Sequence, residues 1–213
     1  MSERITVSKV DLGRRAAPQQ KRSQDRIRQI VDATKRLLEN NSDDAITTSS
    51  VAVEAGVPVS SVYRYFPNIY SVFAAILDDY QSETDRIVAA RLADPEDMAW
   101  RDSLRGMILG LRDVVANDPS YARVFRITLT TPELQARRDE WKGRLVQVLE
   151  ARWVDGADGF TGGNPHHVAR MAVEIYCAAE LLVFDLGQTS AAAEAYFEEA
   201  LIALERYLSS YLD

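Results

Sequence analysis

The hydrophobic and polar positions of this chain follow the spacing of α-helices over most of its length. From Ser23 onward, apolar residues recur three and four positions apart, which is the period of one helix face. Runs rich in Asn, Asp, Gly and Pro interrupt this period, and no alternating strand pattern exceeds four residues. The pattern therefore predicts an all-α fold with about nine helices. Their predicted ranges are about 23–39, 48–55, 58–66, 69–92, 98–116, 120–128, 132–154, 165–187 and 190–212.

Several helix ends carry capping signals. Thr47 is a predicted N-cap for the second helix, Pro58 suits the first turn of the third, and Asn68 is a predicted N-cap for the fourth. Residues 1–20 have no helical or strand period, and we expect them to form a flexible basic arm.

Residues 47–66 are the most informative segment. Two short helices are separated by a turn that contains Gly56, which is the arrangement of a helix-turn-helix. We expect the small residues Ala55 and Gly56 to let the helices cross closely, with Val57 and Val62 filling the corner. The second helix should then expose hydroxyl, aromatic, basic and apolar groups suited to DNA, namely Val59, Ser60, Tyr63 and Arg64.

Residues 22–80 resemble the TetR family of transcriptional regulators. The matching residues are Ile30-Val31-Asp32-Ala33, Thr47-Thr48, Val51-Ala52, Ala55-Gly56-Val57, Ser61-Val62-Tyr63 and Tyr65-Phe66. The remainder matches only in helix number and length. The resemblance implies a helix-turn-helix DNA-binding domain at 21–68 and a helical ligand-binding and dimerisation domain at 69–213. It also implies that a homodimer binds double-stranded, palindromic operator DNA.

The resemblance assigns roles to individual residues. Thr47 caps its helix and contacts a phosphate, Ser49 reads a base, and Val59 and Ser60 meet bases. The full set of DNA-contacting residues implied is Lys21, Arg22, Arg26, Arg28, Thr47, Ser49, Val59, Ser60, Ser61, Tyr63, Arg64 and Tyr65. Three departures from the family pattern, Pro58, Ile69 and Ser49, predict fewer direct contacts, with DNA shape or the basic arm compensating.

The charge distribution changes how the net charge of −7 is interpreted. Residues 1–72 contain 11 Lys/Arg and 8 Asp/Glu, whereas the remainder contains 14 and 24. A mildly basic head on an acidic body suits nucleic-acid binding, although a solvated tail beside an acidic domain would give the same asymmetry.

The predicted helix 165–187 is apolar on two sides, so we expect it to be buried on both. In the family that the chain resembles, one side lines a ligand pocket and the other joins the last helix in a dimer interface. The predicted pocket residues, for a small apolar effector, are Met107, Leu111, Phe125, Trp141, Tyr176, Cys177, Glu180 and Phe184. The predicted dimer residues are Ile175, Ala178, Ala179, Leu182, Phe197, Leu201, Leu204 and Leu208.

Glu180 is the one acid inside the apolar part of that helix, and two interpretations remain open. It either orients a ligand with a cationic or hydroxyl group, or it forms an ion pair with an arginine.

Other function classes have little support. One cysteine and two histidines do not suit a structural zinc site, and His166 and His167 point about 100° apart on a helix. No catalytic constellation, cofactor motif, secretory signal or apolar run of membrane-spanning length is found. We therefore expect a cytoplasmic, cofactor-free repressor with no membrane partner. The alternatives are a helical small-molecule-binding protein or enzyme with a non-functional helix-turn-helix, and a structural dimer without DNA.

Overall fold

The computed structural model describes Gly13 and residues 21–40, 46–93, 99–186 and 191–213. Within these ranges the chain forms nine α-helices and no strand, which confirms the predicted fold class. The helices are α1 (Lys21–Asn40), α2 (Thr48–Glu54), α3 (Val59–Tyr65), α4 (Ile69–Leu92), α5 (Trp100–Asn117), α6 (Ser120–Thr128), α7 (Pro132–Val154), α8 (Pro165–Leu186) and α9 (Ala191–Leu208). The predicted arm at 1–20 lies, apart from Gly13, outside the described residues.

The predicted N-caps of α2 and α4 are present. The Thr47 hydroxyl accepts from the Ser50 amide at 3.1 Å, and the Thr47 amide donates back to Ser50 Oγ at 2.9 Å. Asn68 Oδ1 accepts from the Ser71 amide at 2.9 Å. These reciprocal bonds satisfy amides that an α-helix leaves unpaired in its first turn. Pro58 is the N-cap residue of α3 and makes no side-chain cap, and the helix begins at Val59, one residue later than predicted.

The turn between α2 and α3 is fixed by the backbone of Gly56. This residue has φ +64°, its amide donates to the Val53 carbonyl at 3.1 Å, and the Val57 amide donates to the Ala52 carbonyl at 3.0 Å. This pair of bonds is a Schellman motif, which requires a left-handed residue. A Cβ on Gly56 would meet no atom within 4 Å, so the expectation that Gly56 is small to allow close helix crossing is wrong. Glycine is required here by its φ angle.

The chain divides into two compact units. The first unit is Met1–Asp79 with Arg123–Arg137, and the second is Tyr80–Ala122 with Arg138–Asp213. The division runs through α4, α6 and α7, whereas the sequence predicts a domain boundary between residues 68 and 69. In the first unit, the Arg137 guanidinium donates to both carboxylate oxygens of Asp78, at 2.6 and 2.9 Å, and so joins α7 to α4.

The second unit is built around the buried apolar faces of α5, α7, α8 and α9. Four of the predicted dimer residues lie in this core: Phe197, Leu201, Leu204 and Leu208 are 9%, 2%, 2% and 4% exposed. Their assignment to a dimer surface is therefore corrected. These residues mark the side of α9 that the rest of the chain covers. An intramolecular core and a dimer interface give the same apolar spacing along a helix, so the sequence pattern could not distinguish them.

Two glycines with room for a methyl group test the explanation of the α2–α3 turn. Gly56→Ala should lower the free energy of unfolding by about 1 kcal/mol, because an L-residue is strained at positive φ. Gly143→Ala, inside α7, should raise the free energy of unfolding by roughly 0.5–1 kcal/mol, because alanine loses less backbone entropy in a helix. Urea denaturation of both variants measures the two effects. Equal effects with the same sign would contradict the role given to φ.

Candidate nucleic-acid interface and ligand cavity

Helix α3 presents the predicted DNA-contacting side chains to solvent. Val59 and Tyr63 are 37% and 43% exposed, and Ser60 and Arg64 are exposed as well. On the opposite side of the segment, Val62 and Phe66 are fully buried. The helix therefore has a packed face and a solvent face that bears hydroxyl, phenol and guanidinium groups.

The Tyr63 hydroxyl is held in place by α2. Thr48 Oγ1 donates to the Tyr63 hydroxyl oxygen at 2.9 Å, and Thr48 itself is only 9% exposed. Because the phenol accepts this bond, its own O–H remains able to donate to an external oxygen. The arrangement holds the exposed phenol in a fixed position.

The remaining predicted contacts of α2 and α3 differ in exposure. Thr47 and Ser49 are exposed and Ser61 is half-buried, whereas Tyr65 is only 7% exposed. The ring of Tyr65 is therefore part of the packed side of α3, and little of it is left for DNA contact. Val53, which is not among the predicted contacts, is 82% exposed on α2 and lies four residues after Ser49, on the same side of the helix.

The basic residues at the start of α1 lie near the helix-turn-helix. Lys21, Arg22 and Arg28 are exposed, and Arg28 lies 3.5 Å from Asp25. Arg26 donates to Gln29 at 2.9 Å, and the Gln29 amide donates to the Ala55 carbonyl at 2.7 Å. These bonds link the basic end of α1 to the residue that precedes the Gly56 turn.

The second unit contains a mostly apolar cavity of about 100 Å³. Its walls come from α4, α5, α7, α8, α9 and the segments after α7 and α9. Representative apolar walls are Val88, Trp100, Met107, Ile108, Leu145 and Val173. This volume accommodates several water-sized groups, which is enough for a small organic molecule.

The cavity contains only part of the predicted pocket set. Met107, Leu111 and Tyr176 line it. Trp141, Cys177 and Phe184 are buried but do not reach its surface, and Phe125 is buried in a segment assigned to the first unit. These four assignments are corrected, because an apolar face identifies buried positions without distinguishing a cavity wall from close-packed core.

Glu180 does not line this cavity either. It is 2% exposed and borders a separate pocket of about 20 Å³, room for about one water molecule. Its Oε1 accepts from the hydroxyls of Tyr80 and, at 3.0 Å, Tyr176, while Oε2 lies 3.9 Å from Arg138 Nη2. The geometry thus favours the ion-pair interpretation of Glu180, and its assignment to the ligand site is corrected.

Burial dominates the electrostatics of this cluster. Loss of hydration raises the pKa of Glu180, although the Tyr80 and Tyr176 hydroxyls and the Arg138 charge oppose the rise. Burial also raises the pKa of Tyr80 and Tyr176, and it raises the pKa of the Cys177 thiol to about 12. Both phenols and the thiol are consequently neutral, and the phenols act as hydrogen-bond donors to the carboxylate.

In contrast to Glu180, the ion pair of Arg152 and Asp158 borders the large cavity. Arg152 donates to both carboxylate oxygens of Asp158, each at 2.7 Å, and to the Leu92 carbonyl at 3.0 Å. Trp153 Nε1 also donates to Asp158, at 3.2 Å. The hydrogen bonds that Arg152 donates to Asp158 raise the pKa of Arg152. The two charges in the wall therefore neutralise each other.

Among the described residues, no helix is long and apolar enough to cross a membrane. The same part of the chain contains no cluster of three or more His, Cys, Asp or Glu side chains arranged to hold a metal ion.

Two family models match the chain. Residues 30–76 match the model described as bacterial regulatory proteins, tetR family, and residues 99–208 match the tetracyclin repressor-like, C-terminal domain. A curated relative is the nucleoid occlusion factor SlmA of Pasteurella multocida, 24% identical over 67% of this chain and 75% of that protein.

Solved structures share the fold. A TetR-family transcriptional regulator from Streptomyces coelicolor is 26% identical, with a TM-score of 0.63 over 88% of this chain and 99% of its own. A TetR transcription regulator from Haloarcula marismortui is 19% identical, with a TM-score of 0.72 over 89% of this chain and 100% of its own.

The raised pKa of Glu180 predicts a specific pH dependence of stability. The folded protein binds this proton more tightly than the unfolded chain, whose carboxyl has a pKa near 4.5. The contribution of Glu180 to the free energy of unfolding should therefore fall as pH rises above about 4.5 and level off above the folded-state pKa. Glu180→Gln removes this titration, so its stability relative to wild type should increase across that window.

Urea denaturation at a series of pH values measures this difference. Glu199→Gln, at an exposed position on α9, is the matched control and should stay parallel to wild type. A Glu180→Gln variant that also stays parallel would show that burial does not disfavour the charged carboxylate.

Proposed function

Because the chain belongs to the TetR family of bacterial regulatory proteins, we propose that it is a ligand-responsive transcriptional repressor of the cytoplasm. A homodimer binds a palindromic operator through its two helix-turn-helix segments. A small apolar molecule bound in the cavity of the second unit releases the DNA. The protein acts by binding, without catalysing a reaction.

The observation that carries this proposal is the solvent face of α3, with the Tyr63 phenol held by Thr48. A recognition helix needs groups that contact phosphates and others that contact base edges at fixed positions. Tyr63 and Arg64 suit the first role, while Val59 and Ser60, at the start of the helix, suit the second.

The dimer proposal rests on the exposed side of α8. Met171 and Leu182 are 49% and 50% exposed, Ala178 is exposed, and Ile175 and Ala179 are half-buried. These five residues recur along one face of the helix, and small side chains at 178 and 179 permit close approach of a second helix. Recognition helices in a dimer reach successive major grooves when they lie roughly 34 Å apart.

The ligand proposal rests on the cavity and on α4. Val88, Arg91 and Leu92 of α4 line the cavity, and the N-terminal residues of the same helix follow α3 directly. Since α4 is one continuous helix, a ligand that displaces its C-terminal part acts on its N-terminal part as well. A ligand with different affinity for the two positions of α4 shifts the population between them.

The phosphate role of Tyr63 is tested by salt dependence and by Tyr63→Phe. With about six phosphate contacts per dimer, the logarithm of the DNA association constant should fall against log salt with a slope near −5. Tyr63→Phe should weaken binding to all DNA sequences alike, by roughly five- to hundredfold, through loss of one hydrogen bond per subunit and so two per dimer. Gel shifts on the DNA upstream of the protein's own gene measure both effects.

Tyr196→Phe, an exposed tyrosine on α9, is the matched control and should leave DNA binding unchanged. Thr48→Val should weaken binding much as Tyr63→Phe does, and the double variant should be little worse than either. A salt slope near zero would contradict electrostatic DNA binding and favour a small-molecule-binding protein with a non-functional helix-turn-helix. Additive effects of the two substitutions would contradict the positioning role of Thr48.

The dimer surface on α8 is tested by Ala178→Arg. The position is exposed in one chain, so the variant should fold, but a buried arginine at an interface should shift the protein to monomers in sedimentation. Ala151→Arg, at an exposed position on α7, is the control and should remain dimeric. Arginine at Leu201 is unsuitable, because that side chain lies in the monomer core. A dimeric Ala178→Arg variant would place the interface elsewhere.

A further inference from the structure

We infer that the cavity of the second unit takes an apolar molecule with one neutral, hydrogen-bond-accepting oxygen, which accepts from the indole N–H of Trp100. This inference deepens the proposed function, because it rests on that cavity being the effector site.

The indole of Trp100 is the first line of support. Trp100 lines the cavity and is 5% exposed, and its Nε1 has no hydrogen-bond partner within the described residues. In contrast, Trp141 Nε1 donates to Asp85 at 3.0 Å and Trp153 Nε1 donates to Asp158 at 3.2 Å. A buried donor without a partner costs free energy and is uncommon in native proteins. An acceptor in the cavity satisfies it.

A neighbouring side chain makes the same end of the cavity polar. Ser103 also lines the cavity and lies three residues after Trp100, so both side chains are on one side of α5. The other hydroxyl in the lining, that of Tyr176, is already used as a donor to Glu180. The polar group of an occupant is therefore expected near the N-terminal turn of α5.

The charges of the lining disfavour a cation. Asp158 contributes the only carboxylate in the described lining, and it already accepts from Arg152 and Trp153. The remaining charged group, Arg91, is a second guanidinium. A cationic occupant would thus lose its hydration in the cavity without gaining an unpaired carboxylate there, which costs free energy.

The same lining gives little to an anion. The donors of Arg152 are directed at Asp158 and at the Leu92 carbonyl. Arg91 is exposed, and ion pairs at exposed positions contribute at most about 1 kcal/mol. Burying a carboxylate among apolar walls costs more than that, so a neutral acceptor fits best.

Four molecules of similar shape separate these possibilities. Ethylbenzene has no polar group, acetophenone has a neutral acceptor oxygen, 2-phenylethylamine is a cation and phenylacetate is an anion at pH 7. Isothermal titration of the full-length protein should show tightest binding for acetophenone. In ¹⁵N-labelled protein, acetophenone should shift the indole N–H resonance of Trp100, which is assigned by its absence in Trp100→Phe.

The Trp100→Phe variant keeps an aromatic wall and removes the donor. It should weaken acetophenone binding by roughly three- to tenfold, as expected for one hydrogen bond, and leave ethylbenzene binding nearly unchanged. The matched control is Trp153→Phe, which also alters the cavity wall but removes an N–H that is bonded within the protein. It should affect both molecules equally.

Three results would overturn the inference: no acetophenone binding up to its solubility limit, equal losses for both molecules in Trp100→Phe, or tightest binding of the amine or the carboxylate. Gel shifts with acetophenone test the proposed function separately. Trp100-dependent binding without any change in DNA affinity would support the ligand class and contradict the effector role of the cavity.

Discussion

A buried carboxylate, that of Glu180, joins three helices of the second unit. Glu180 lies in an apolar helix, and the free energy of burying its polar atoms is recovered only if other helices supply donors. The hydroxyls of Tyr80 from α4 and of Tyr176 from α8 itself donate to one carboxylate oxygen, and Arg138 of α7 forms an ion pair with the other at 3.9 Å. These contacts join α4, α7 and α8, and the same helices contribute walls to the cavity.

This cluster and the cavity divide the polar groups of the second unit between structure and binding. The hydroxyls of Tyr80 and Tyr176 donate to Glu180, and Arg152 is paired with Asp158. Among the groups that border the cavity, Trp100 retains a buried N–H with no partner in the described chain. A site whose charges are internally paired selects its occupant by shape, apolar area and a few hydrogen bonds, since the paired charges add little attraction.

The DNA-binding segment depends on local rather than distant constraints. The Thr47–Ser50 capping box begins α2, and the positive φ of Gly56 ends it in the orientation from which α3 departs. Bonds from Gln29 and Arg36 of α1 to the end of α2 hold the pair in place. The bonds of the capping box and of the Gly56 turn join residues no more than five positions apart, which explains why the helix-turn-helix can be identified from its sequence alone.

The sequence alone determined the helical class, the boundaries of α4, α6 and α7, the caps at Thr47 and Asn68, and the exposed face of α3. Each follows from the spacing of apolar residues or from hydrogen bonds between residues close together in the chain, and both can be seen in the sequence itself. Only the tertiary structure decided that Leu201 and Leu204 are core, that Glu180 is bonded internally, and that Trp100 borders the cavity. An apolar period shows that a face is covered, but the covering element comes from distant parts of the chain, so sequence cannot distinguish core, cavity and interface.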